Sequence, residues 1–279
     1  MISEVDKLRF ELLCRGFASG ELHGEGIGTL GEKRLHKILK YYFCDDENCH
    51  EVRIRPSGDA VTDATERSRG AESGRGGFIA DIFTDGHIIE IQTGGFYPLK
   101  SKIAFYLENT DYDITVVHPI AAEKFVTWID VESGALGKRS RSPKKGVASD
   151  ALPELFWLSE YLKNDRLHFK IMLLGIEEYR LLDGWSRDKK RGSNRYDRVP
   201  TALVDIVSFD APQYAQSLIP QGLSEEFTSA EFSKLLRVKG RKLSLVLKLL
   251  MNTEAIERCG KRGNAYVYKL KIRRNAAQE

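Results

Sequence analysis

"FIADIFTDGHIIEIQTGG", residues 78–95, reads as two short strands joined by a tight turn, with Thr84, Asp85 and Gly86 supplying the turn chemistry. Into this apolar ribbon the sequence sets Asp81, Glu90 and Gln92. Carboxylates are poor strand formers and are costly to bury without a partner. Strand periodicity puts Glu90 and Gln92 on one face. Asp81 lies across the turn, and Ala80, Ile82, Ile89 and Ile91 are expected on the opposite face. Two carboxylates held close repel unless a cation sits between them. A hard divalent ion, Mg2+ or Mn2+, suits carboxylate and backbone oxygens, so the hairpin is expected to hold metal.

Outward from the hairpin, Leu35, Ile38, Leu39, Tyr42 and Phe43 recur at helical spacing and predict a helix over about 30–43. "HEVRIRP" predicts a strand that Pro56 ends. Residues 57–77 are rich in Gly, Ser, Asp and Arg and predict a long loop. Its "SGRGG" lacks the Lys-Ser/Thr end of a phosphate-binding loop. After the hairpin, "PLKSKIAFYLEN" predicts a helix with Pro98 near its start, and "YDITVVHPI" a buried strand ended by Pro119. Helix, strand, strand, strand, helix, strand is an α/β core with a mixed sheet. Beyond it, residues 121–210 predict an extension: a helix near 153–162, strands near 168–174 and 202–209, and basic loops between them.

Residues 211–222 resemble a linker. Then Thr228 and Glu231 form a capping box that opens a helix over 229–236. "RKLSLVLKLLMN" follows as a longer helix, and a hairpin closes with a Gly- and Lys/Arg-rich tip. This is a winged-helix arrangement over about 223–279. Leu235, Leu236, Leu243, Val246, Leu247, Leu250 and Val267 are its expected core. Lys239, Arg241 and Lys242 at the start of the second helix, with Lys261 and Arg262 at the hairpin tip, are the expected DNA contacts. A protein-interaction module is the alternative.

Asp81 followed by Glu90-Ile91-Gln92 resembles the PD-(D/E)xK nuclease signature, and the order of elements over roughly 30–119 is similar to that family's core. The resemblance implies a restriction-endonuclease-like mixed-sheet core with helices on both faces, within a domain spanning about 1–210. It implies Mg2+ or Mn2+ on Asp81, Glu90 and the Ile91 carbonyl, with Glu32 completing the site. Two departures stand out: Ala80 replaces the family's proline, and Gln92 stands where a lysine is usual. Gln92 would orient the attacking water, and Lys100 or Lys102 on the next helix are candidates to replace the lysine in space. The implied function is a metal-dependent DNA endonuclease. The alternative is a nuclease-fold DNA-binding or regulatory protein that has lost catalysis.

Composition bounds these readings. The chain has 279 residues, 42% hydrophobic and 30% charged, with a net charge of +3. That balance alone implies no partner, but basic clusters at 137–146, 186–198, 237–242 and 261–263 suit phosphates. Duplex DNA is therefore the expected partner, with a homodimer left open. With no membrane-spanning run and no signal-peptide core, a cytoplasmic location is expected. The four cysteines form no C-x-x-C pair, and Cys44, Cys49 and His50 lack the second ligand pair of a zinc site.

Overall fold

The computed structural model describes residues 2–19, 34–56, 60–61, 76–183, 194–210, 219 and 222–271. Helix α1 (Glu4–Ser19) and helix α2 (Arg34–Phe43) cover one face of a large mixed sheet. Leu35, Ile38, Leu39 and Tyr42 form the buried stripe of α2, as the 3.6-residue period requires. Helix α1 leaves Val5, Leu8 and Leu12 exposed and buries Phe10 and Cys14, one turn apart. Phe10 meets Tyr42 edge to face at 5.3 Å. Burial pushes the Cys14 thiol up to about 12, so it packs as a neutral side chain.

The sheet contains β1 (His50–Ile54), β2 (Ala60–Val61), β3 (Phe78–Thr84), β4 (His87–Ile91), β5 (Asp113–Asp130), β6 (Ser140–Arg141), β7 (Leu167–Leu182) and β8 (Asn194–Asp210). Its order is β2-β1-β3-β4-β5-β7-β8, with β6 beside β5. Pairing is antiparallel from β2 through β4, parallel for β4–β5 and β5–β7, and antiparallel for β7–β8. Gly77 enters β3 at φ 85°, and a Cβ there would lie 1.9 Å from the Ile54 carbonyl oxygen; only glycine fits this approach.

Pro119 does not end β5, as the sequence suggested. The strand runs on to Asp130 and pairs with β7 beyond the proline. Strand β4 stops at Ile91, and its last ladder contact is Gln92 N–H to the Val117 carbonyl, 2.8 Å. On that side the missing proline N–H therefore leaves no strand unpaired. Pro200 is tolerated in β8 because β8 is an edge strand. The expected strands at 168–174 and 202–209 are thus the proximal parts of much longer ones.

The second face carries helix α3 (Leu99–Asn109), a helical segment at 148–158 that includes α4 (Leu152–Leu155), and the C-terminal unit. That unit contains β9 (Glu226–Thr228), α5 (Ser229–Leu236), α6 (Gly240–Asn252), β10 (Ile256–Arg262) and β11 (Ala265–Leu270), with a sheet ordered β10-β11-β9. The Thr228 hydroxyl accepts from Glu231 N–H, and Glu231 accepts from Thr228 N–H at 2.6 Å. Leu236, Val246, Leu247, Leu250 and Val267 are buried, but Leu235 is 40% exposed and Leu243 only half-buried. Leu235 falls on the solvent side because Phe232 and Leu236 define the inward stripe of α5.

Helix α6 joins the main body through its apolar face. Val246, Leu247, Leu249 and Leu250 share one continuous core with Leu152, Leu155 and Leu158. Asn252 donates to the Ser159 hydroxyl, and Lys163 pairs with Glu254 at 3.2 Å. Leu155→Ala, a cavity in this shared core, is expected to cost about 2–5 kcal/mol. It should lower one cooperative transition, read as the urea midpoint by circular dichroism and by tryptophan fluorescence. Two separated transitions would show that the C-terminal unit folds alone.

Candidate functional site

Strands β3 and β4 pair at Thr84–His87, Phe83–Ile88 and Ile82–Ile89, and the ladder stops there. One step on, the Asp81 carboxylate takes the Ile91 N–H at 2.7 Å. A side chain thus replaces a backbone partner, and the hairpin opens at Asp81 and Glu90. The β1–β3 register skips the same place: His50 pairs with Ile82 and Val52 with Ala80. Glu51 lies between and holds a left-handed φ of 54°, an uncommon and strained setting for a non-glycine residue. The interruption changes which face the side chains serve. Ile82, Ile89 and Ile91 pack beneath α1 and α2, whereas Ala80 packs with Val52 and Ile88 on the other side. Ala80 is therefore not beside Ile82, as unbroken alternation implied.

Groups from both faces converge on this opening. From α2, His36 Nε2 lies 3.2 Å from Asp81 Oδ2. From α3, Lys102 Nζ donates to Glu90 Oε2 at 2.6 Å, and Tyr106 Oη donates to Glu90 Oε1 at 2.9 Å. Glu90 is only 2% exposed. Burial pushes its carboxyl up to about 7; Lys102 opposes that shift and the Asp81 charge adds to it. Burial would also raise Asp81, but the His36 hydrogen bond, the Lys102 charge and the Ile91 N–H outweigh it and hold Asp81 below the usual carboxylate range. Lys102 is held above its ordinary value because Glu90 and Asp81 overcome its burial. Burial and Glu90 raise Tyr106, which keeps the proton it donates. Two carboxylates of unequal basicity therefore lie in the field of one ammonium.

Gln92 follows β4 and is turned aside. Its Nε2 donates to the Gly95 carbonyl at 2.6 Å, and its own carbonyl meets His118 Nδ1 at 2.6 Å. Burial lowers His118, which fits a neutral ring donating from Nδ1. Lys100 points to the surface and pairs with Glu160 at 2.6 Å, leaving Lys102 as the lysine of α3 that enters the site. Glu32 lies outside the described residues. Among the described residues no set of three His, Cys, Asp or Glu side chains gathers as a metal cage.

His36, Glu51 and Tyr106 escaped the sequence reading. His36 and Lys40 are one turn apart on α2, and Lys40 pairs with Glu51. That i, i+4 spacing was the available signal.

The basic residues of the C-terminal unit divide. Lys239, Arg241 and Lys242 are exposed at the start of α6. Arg262 pairs with Glu231 at 3.2 Å, and Lys261 lies over the Tyr266 ring. In the 137–146 cluster, Arg139 and Arg141 pair with Glu177 and Glu123. No described helix is long and apolar enough to cross a membrane.

Fold and site together define a mixed α/β protein with two carboxylates set at the opened end of a hairpin. A family model matches residues 62–210, more than half of the chain, and the protein belongs to that family, a domain of unknown function designated DUF8091. The matched span includes Asp81, Glu90, Gln92, Lys102 and Tyr106 and leaves out α2 and the C-terminal unit. The chain is also similar to an uncharacterized protein of Treponema pallidum (strain Nichols), 25% identical over 203 residues, covering 71% of this chain and 69% of the relative. No solved structure matches.

Lys102→Met leaves Glu90 buried without its counter-charge. The expected loss is about 3–5 kcal/mol near pH 8. Glu90 is already more basic when folded than unfolded, so the folded state binds the extra proton, and stability lost on raising the pH returns on lowering it. The deficit of Lys102→Met should therefore shrink between pH 8 and pH 5 in urea unfolding. An equal deficit at both values contradicts the assignment.

Proposed function

We propose that the protein is a divalent-metal-assisted phosphodiesterase that cuts DNA, with Asp81, Glu90 and Lys102 at its centre. The observation that carries this reading is the Lys102 ammonium, bound to Glu90 and within electrostatic reach of Asp81. It is a stand-in cation: the two carboxylates already share one positive charge, and their oxygens are the donors a hard divalent ion takes. Mg2+ or Mn2+ would supply an activated water and neutralise charge developing on the phosphate.

The remaining roles fall to the chain. Asp81, kept ionised, and Glu90 would hold the ion, with the carbonyl of Ile91, the residue after Glu90, as a third donor. His36 and the Ile91 N–H fix the Asp81 carboxylate, and Tyr106 orients Glu90. Lys102 replaces the lysine absent at position 92 and offers its charge to the phosphate oxygens. Gln92, tied to Gly95, would orient water through its free amide oxygen. The order β1-β3-β4-β5, with α2 and α3 on opposite faces, supports a restriction-endonuclease-like core. The arrangement of β9, α5, α6, β10 and β11 supports a winged helix that brings Lys239, Arg241, Lys242, Lys261 and Arg262 to duplex DNA.

A second reading has its own observation. Both Glu90 oxygens are occupied by Lys102 and Tyr106, and the Gln92 amide nitrogen is held by a backbone carbonyl. On that reading the pair is purely structural, and the protein binds DNA without cutting it.

Cleavage of supercoiled and linear DNA with Mg2+ or Mn2+ separates the two. The first reading expects cleavage by the native chain, and loss of cleavage with DNA affinity retained in Asp81→Asn, because a ligand is removed and not a phosphate contact. It also expects Mn2+ to raise the melting temperature of the native chain and not of Asp81→Asn. No cleavage by the native chain or by Gln92→Lys, together with no Mn2+ stabilisation, would leave the non-catalytic reading.

A further inference from the structure

A second charged cluster lies on the distal halves of β5, β7 and β8. Its centre is Glu178, 2% exposed. Lys124 Nζ approaches it at 3.3 Å, Arg180 at 2.5 Å and Arg195 Nε at 3.6 Å. Arg198 is its cross-strand partner in β8, so the two side chains share a face. Four cations therefore surround one buried carboxylate. The neighbouring acid, Asp197, is taken by Arg34 Nε at 2.5 Å.

Arg198 is the member whose environment is incomplete. Its Nη2 reaches the Thr93 carbonyl at 3.4 Å, a long contact. Its Nε is buried and has no acceptor among the described residues. Burial and the nearby Arg195 both disfavour its charge, and a buried guanidinium N–H left without an acceptor is unfavourable. The opposite face of the same strands is different. There Arg139 and Arg141 are neutralised one for one by Glu177 and Glu123. Around Glu178, by contrast, four cations gather on a single carboxylate. Thr93 immediately follows Gln92, so Arg198 ties this cluster to the end of β4 and the candidate site.

We propose that Arg198, with Lys124, Arg180 and Arg195, forms a cradle for nucleic-acid phosphates beside Thr93. A guanidinium fork matches phosphate oxygens. The cations are spread over three strands, which suits a run of phosphodiesters better than one small anion. The identity of the polymer as DNA rests on the function proposed above; the cradle itself does not require that the protein cut it.

The test uses the full chain, a short labelled duplex, EDTA to suppress cleavage, and fluorescence anisotropy over a salt series. Arg195→Ala and Arg198→Ala should each weaken binding roughly three- to ten-fold and reduce the slope of log affinity against log salt by about 0.9. Arg141→Ala removes the same charge from the opposite face and should change both far less. Arg198→Lys keeps the charge and loses the fork, so it should fall between native and alanine; it also serves if Arg198→Ala fails to fold. Native-like binding by folded Arg195→Ala and Arg198→Lys overturns the proposal. Binding of inorganic phosphate or a mononucleotide without binding of duplex overturns the nucleic-acid assignment. Metal-dependent cleavage by the native chain is read separately. Cradle-dependent binding without cleavage supports the cradle and sinks the nuclease reading. Cleavage with binding indifferent to the cradle variants does the reverse.

Discussion

The ion pair between Lys102 and Glu90 joins helix α3 to strand β4 at the candidate site. A carboxylate only 2% exposed is tolerable only with its oxygens satisfied and a counter-charge in place. Lys102 and Tyr106 meet both demands from successive turns of α3. Helix α3 is thereby pinned to the sheet in one rotation, with Ile103 and Tyr106 facing the core. The same ammonium helps keep Asp81 ionised. Asp81 in turn takes the Ile91 N–H and opens the hairpin. Position and charge at the site therefore come from one helix reaching one strand, with α2 closing the other side through His36.

Local patterns carried much of the fold in the sequence. The hairpin turn, the stripe of α2, helix α3 and the Thr228–Glu231 capping box depend on neighbours within a few residues; the turn, α3 and the cap lie within a residue or two of the expected bounds, and α2 ends at Phe43 as expected and is described from Arg34. What escaped was set by distant parts of the chain. Pro119 stops a strand only where its N–H is needed, and that depends on where β4 ends. Leu235 has the composition of a core residue, but the inward stripe of α5 runs through Phe232 and Leu236.

The site divides in the same way. Asp81, Glu90 and Gln92 stand out because polar groups in an apolar ribbon conflict with local preference. Lys102 was visible as a candidate beside Lys100, and only the packing of α3 separates them: one meets Glu160 at the surface and the other Glu90 inside. His36, Glu51 and Arg198 gave no local conflict. The role of His36 depends on how α2 packs on the sheet, and those of Glu51 and Arg198 on register across it, including the left-handed turn at Glu51 that no periodicity encodes. The matched family span contains Asp81, Glu90 and Lys102, and it also contains Glu178 and Arg198 of the distal cluster. The carboxylate pair and the phosphate cradle proposed beside it thus belong to one segment of chain, with α2 and the C-terminal unit added around it.

On the proposed function, a divalent metal takes the place of the Lys102 ammonium at Asp81 and Glu90. Anomalous diffraction from crystals grown with Mn2+ and a duplex reads this directly. The expected result is an anomalous peak about 2–2.5 Å from oxygens of both Asp81 and Glu90, with Lys102 Nζ released from Glu90 and turned toward a phosphate. A Lys102–Glu90 contact retained at its present 2.6 Å, with no anomalous signal at either carboxylate in Mn2+-saturated crystals, would contradict it.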